Sequence, residues 1–71
     1  MARPRTFMNE EVIQIMEEAE EPFLRLGEIA DELDVSKSAV LPRLEELEEE
    51  GEVYRKQVGA RAVIWWLPER Y

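Results

Sequence analysis

Neither histidine nor cysteine occurs among the 71 residues. Imidazole acid–base catalysis, thiol nucleophiles, disulfides and most zinc sites are therefore excluded at the outset. The chemistry left is mainly that of fixed cations. Lys37 and Arg43 lie in a stretch, residues 36–44, that holds no acid. Arg55, Lys56 and Arg61 lie in a second acid-free stretch, residues 53–67, and Arg3 and Arg5 in a third at the start of the chain. Guanidinium and ammonium groups gathered this way suit phosphate oxygens, and Ser36 and Ser38 add hydroxyl donors beside Lys37. The plainer readings are ordinary surface charge for Lys37 and Arg43, edge-strand protection for Arg55, Lys56 and Arg61, and a solvated terminus for Arg3 and Arg5.

Against these patches stands a net charge of −8, from 17 acids and 9 bases. The acids are mostly glutamate and the bases mostly arginine, a surface expected of a protein from a high-salt cytoplasm, where carboxylates hold water. The run Glu45-Glu46 and Glu48-Glu49-Glu50 reads as a solvated helix face, because no coordinating loop accompanies it. Residues 62–67 form the longest apolar run, too short to span a bilayer. The first residues carry no signal-peptide pattern. A cytoplasmic protein without membrane association, cofactor or metal is expected.

Hydrophobic spacing supplies the elements that must carry these cations. Val12, Ile15, Met16 and Ala19 recur at helical intervals, with Asn9 as N-cap, Glu10 and Glu11 in the first turn and Pro22 beyond the end, giving a helix over about 9–20. Phe7 and Met8 can pack back on its start. Residues 23–26 read as a short extended piece, and residues 27–33 as a second helix with Ile29, Ala30 and Leu33 on one side. After a break at Asp34-Val35, Ser36 caps a third helix reaching about 50, with Val40, Leu44 and Leu47 inward and Gly51 as its left-handed stop. Pro42 sits inside that helix, where it implies a bend or a loosened first turn. Residues 53–58 and 61–67 form a hairpin about a two-residue Gly59-Ala60 turn. That turn sets Val58 against Arg61, Arg55 against Ile64 and Tyr54 against Trp65. Each face of the hairpin carries one tryptophan, and the exposed aromatics are the candidate dimer surface.

The run from Leu26 to Val40 resembles the winged helix-turn-helix domains of prokaryotic regulators of the MarR-like and ArsR-like groups. Ile29-Ala30 and Leu33 match their second helix, Val35-Ser36 the turn, Val40, Leu44 and Leu47 the recognition helix with Gly51 at its exit, and 55–61 the wing. With the acidic surface, the chain is similar to small haloarchaeal regulators. The resemblance implies an α+β fold of three helices with a C-terminal two- to three-stranded antiparallel β-wing. It divides the chain into a flexible arm, 1–8, and a single domain, 9–71. It also implies a non-enzymatic regulator that binds double-stranded DNA in sequence-specific fashion. The helix at about 36–50 would enter the major groove through Ser36, Lys37, Ser38, Leu41 and Arg43. Arg55, Lys56 and Arg61 would meet backbone or minor groove, and Arg3 and Arg5 an adjacent groove. All three basic patches would then share one surface, with the acids of the first helix and of the end of the third turned away. A homodimer with no small-molecule effector is expected; the alternative is a winged-helix scaffold that binds protein in a larger assembly. The long terminal helices through which many such regulators dimerise are missing.

Overall fold

The computed structural model describes residues 7–70. The elements run α1 (Asn9–Glu18), β1 (Leu24–Arg25), α2 (Leu26–Leu33), α3 (Lys37–Glu49), β2 (Tyr54–Gln57) and β3 (Val63–Trp66), closed by a 3-10 turn, Pro68–Arg70. The strands form one antiparallel sheet in the order β1-β3-β2. Arg3 and Arg5, assigned above to an arm, lie outside the described residues. Among the described residues no helix is long and apolar enough to cross a membrane.

The start of α1 differs from expectation by one residue. Met8 is the N-cap and makes no side-chain cap bond, while Asn9 is already helical. Phe7 and Val12 flank this cap at the staple positions and both are buried, which fixes where the chain enters the helix. Asn9 is thereby turned to α3, where its amide Nδ2 donates to Glu46 Oε1 at 2.8 Å. The helix stops at Glu18 because Ala19 is already extended, so Glu20 lies beyond it.

Helix α2 begins at Leu26, and the Glu28 carboxylate accepts the Arg25 backbone N–H at 2.8 Å. It ends on Asp34, which takes a left-handed conformation at φ 58°. Ser36 occupies the N-cap of α3 with extended backbone, but its hydroxyl pairs with that of Ser38 at 3.1 Å instead of capping. Val40, Leu44 and Leu47 are buried as their spacing requires. The helix runs through Pro42 unbroken: the proline removes the N–H that Ser38's carbonyl would accept, and the ring is exposed. Gly51 closes α3 at φ 78°, donating to the Glu48 carbonyl at 3.0 Å, while the Glu52 N–H donates to that of Leu47 at 2.9 Å. These two bonds are the Schellman pattern that a C-terminal glycine allows.

The hairpin register is one residue from the expected one. Tyr54 pairs with Trp66, Arg55 with Trp65, Lys56 with Ile64 and Gln57 with Val63. The Val58 N–H donates to the Ala62 carbonyl at 2.7 Å, so the loop holds Gly59, Ala60 and Arg61 rather than two residues. The Gln57 amide favours this longer loop by donating to the carbonyls of Gly59 and Ala60, at 3.3 and 3.2 Å. A slip of one exchanges the cross-strand partner of every side chain. Trp65 therefore shares the inner face with Val53 and Arg55 and is buried to 1% exposure, in one core with Met16, Ile29, Leu44 and Leu67. Trp66 stands on the outer face with Tyr54 and Lys56.

Candidate functional site

Between the start of α3 and the hairpin lies a shallow cleft of about 860 Å³. Lys37 and Leu41, one turn apart on α3, form one wall, and Arg55, Arg61, Ala62 and Val63 the other. Arg25, from β1, joins them. Sequence reasoning passed over Arg25; its only signal is that it is the sole base in residues 22–35. The Lys37 stem crosses the first turn of α2, where a Cβ on Gly27 would meet Lys37 Cε at 3.1 Å. The Arg55 guanidinium lies 5.8 Å from the Trp65 ring centroid, and its Nε is 3.5 Å from Glu48 Oε2 on α3. The stacking lies within the wing, between β2 and β3, and the ion pair reaches from the wing to α3.

The basic stretches are acid-free in sequence, but the cleft they line is not. Glu28, Asp31 and Glu45 line it as well. Helix α2 borders the start of α3 and presents Glu28 and Asp31 there, while Glu45 continues the Lys37–Leu41 row by one turn. Four bases against three acids leave the lining slightly cationic in a chain of charge −8.

The remaining candidates lie outside the cleft. Arg43 is six residues past Lys37, about 240° around the helix. It faces α1, with its guanidinium 5.9 Å from the Phe7 centroid and 4.0 Å from Glu46 Oε1. Lys56 follows Arg55 on the strand and so points to the opposite face of the sheet. Ser36 and Ser38 are exposed at the head of α3.

The outer sheet face forms a separate groove lined by Phe23, Tyr54, Lys56, Val58, Ile64, Trp66 and Pro68. Trp66 meets Phe23 and Tyr54 edge-on, at centroid distances of 5.6 and 5.9 Å. Phe23, Tyr54 and Val58 remain 41%, 48% and 40% exposed, and among the described residues no acid lines the groove. The tip of the α3 C-terminus is by contrast strongly acidic. Desolvation raises the Glu50 carboxyl above its ordinary value, helped by the neighbouring Glu52, Glu46 and Glu49.

Residues 9–61 match the sequence model of a family described as HTH domain. Among solved structures, the Zalpha domain from Carassius auratus PKZ, in complex with Z-DNA, is similar with a TM-score of 0.72 at 20% identity, over 83% of this chain and 89% of that one. A mutant of Lactococcus lactis ZitR in complex with DNA is similar with a TM-score of 0.68 at 26% identity, over 90% of this chain and 44% of that one. A second ZitR mutant gives 0.66 at 25% identity, over 92% and 45%. The chain thus spans less than half of ZitR. No curated protein matches its sequence.

Proposed function

The chain belongs to the HTH domain family and has the winged helix-turn-helix fold, and from that premise we propose that it is a sequence-specific transcription regulator of double-stranded DNA. The observation that carries the proposal is the shared cleft, in which Lys37 of α3 faces Arg55 and Arg61 of the wing. A helix and a hairpin diverging from one basic seam suit a helix in the major groove and a wing along the flanking backbone. In this reading Ser36, Lys37, Ser38 and Leu41 enter the groove. Arg55 and Arg61 meet phosphates beside it, with Arg25 behind them. Arg43 and Lys56 lie outside the cleft: in this reading Arg43 meets a phosphate on the α1 side of the helix, and Lys56 belongs to the outer sheet face left for the second copy. Two ZitR mutants share the fold at 25–26% identity, and one of them was solved on DNA.

One module of this size covers little groove, so the operating unit is a homodimer on a two-fold site. The second copy docks on the outer sheet face around Trp66. That same aromatic groove favours the other reading, a scaffold whose partner is protein.

Selection from a randomised duplex pool tests the proposal. One sequence should be enriched, and Lys37→Ala combined with Arg61→Ala should weaken binding about tenfold or more. No enrichment at any salt would reject the DNA reading in favour of the scaffold, and a double variant that binds like the parent would reject the cleft as the surface that meets DNA.

A further inference from the structure

Two of the arginines are already occupied by carboxylates of their own molecule. Arg43 lies 4.0 Å from Glu46, and Arg55 lies 3.5 Å from Glu48. Both acids belong to the second half of α3, the helix whose first half is acid-free. Lys37, Lys56 and Arg61 have no ion pair among the described residues. We infer that Glu46 and Glu48 are affinity-setting residues that compete with phosphate for Arg43 and Arg55. The inference rests on the DNA-binding reading and specifies how that site responds to salt.

The geometry decides between holding and competing. Each pair is roughly half exposed on both sides. Such pairs hold a side chain only weakly. Arg55 is in addition held by stacking on Trp65, and Arg43 by Phe7, so neither arginine needs its carboxylate to stay in place. What the carboxylate does is cancel the charge that a phosphate would meet. When DNA binds, each guanidinium exchanges a carboxylate for a phosphate. The phosphate sheds its condensed cation, and the released glutamate, now beside a polyanion, takes a cation up. Ion release and ion uptake offset each other, so binding loses less affinity with rising salt than the number of phosphate contacts implies. An acidic chain can in this way bind DNA where salt is concentrated.

The test compares Glu46→Gln, Glu48→Gln and the double variant with a charge-matched control, Glu20→Gln, beyond the far end of α1 from the Asn9–Glu46 contact. The probe is the duplex enriched in the selection, titrated across a range of KCl. Glutamine still accepts the Asn9 amide, and removing acids from the end of a helix favours its dipole, so folding is retained. Each variant should tighten binding about fivefold at low salt. Each should also make the slope of log affinity against log salt more negative, by up to about one per pair. The control should change neither beyond its small effect on net charge. If the parent binds and the Gln variants tighten no more than the control, or keep the parent's slope, the competition is refuted and the DNA reading stands. If parent and variants alike bind no duplex, both fall together.

Discussion

Gly27 has no side chain at a point where Lys37 passes within van der Waals reach. Its φ is ordinary and its site is helical, so alanine there should help α2 by about 0.5–1 kcal/mol. The same methyl would press on Lys37 Cε at 3.1 Å and move the ammonium within the cleft. Gly27→Ala is therefore expected to raise the melting temperature while weakening DNA binding a few-fold; a rise in both would show that Lys37 does not act from its observed position. The sequence made Lys37 legible through its acid-free surroundings. It did not reveal Gly27, because a glycine in a helix reads as an isolated weakness until its neighbour across the fold is known. Arg25 was hidden for a related reason, since a lone base among acids acquires meaning only when α2 sets it beside Lys37.

Helix α3 was legible almost throughout: the Val40, Leu44 and Leu47 spacing and the Gly51 stop are where periodicity and capping rules put them. Pro42 was the unsettled residue, and α3 passes through it unbroken. Its ring is exposed, so Pro42→Ala should stabilise the fold by about 1–3 kcal/mol in chemical denaturation. Amide exchange in the first turn of α3 should slow correspondingly. An unchanged midpoint would mean that the Ser38 carbonyl is already well satisfied. The end of the same helix carries a charge penalty. Glu50 is raised above its ordinary value of 4.5, so the folded state favours its protonated form. At pH well below 4.5 the group is protonated folded or unfolded and contributes nothing. Above the raised value the folded chain alone bears the cost of desolvating the charge and of its acidic neighbours. Glu50→Gln should thus raise the melting temperature at pH 7 and leave it unchanged at pH 3; equal gains at both would assign the effect to something other than charge. The hairpin was the element read least well. Its strands and the positive φ of Gly59 were foreseeable, but the choice between two- and three-residue loops turned on the Gln57 amide, a bond that strand patterning does not encode.

For the whole molecule, charge distribution decides how two copies can meet. A chain of −8 repels its like through most surfaces. Among the described residues the outer sheet groove is lined by no acid and exposes Phe23, Tyr54 and Val58. Sedimentation equilibrium should detect a dimer, strengthened by salt, that Trp66→Ser abolishes; a parent that is monomeric at high protein and salt concentration would remove the homodimer from the proposal. The expectation that the basic patches gather on one surface holds for Lys37, Arg55 and Arg61 but not for Arg43 or Lys56. Alternation along β2 sends Arg55 and Lys56 to opposite faces, and helical phase separates Arg43 from Lys37.

Trp65 fills the corner where wing and third helix diverge, under the Arg55 guanidinium and without exposure beyond 1%. A buried ring wedged at the pivot of a pair of tongs resists a change in their span. A double helix bound there, as proposed, would supply much of the accommodation itself, at a cost of bending or altered groove width that depends on base steps the protein never touches. Discrimination by such a regulator would then rest as much on the pliancy of its target as on the letters read by Lys37 and its neighbours.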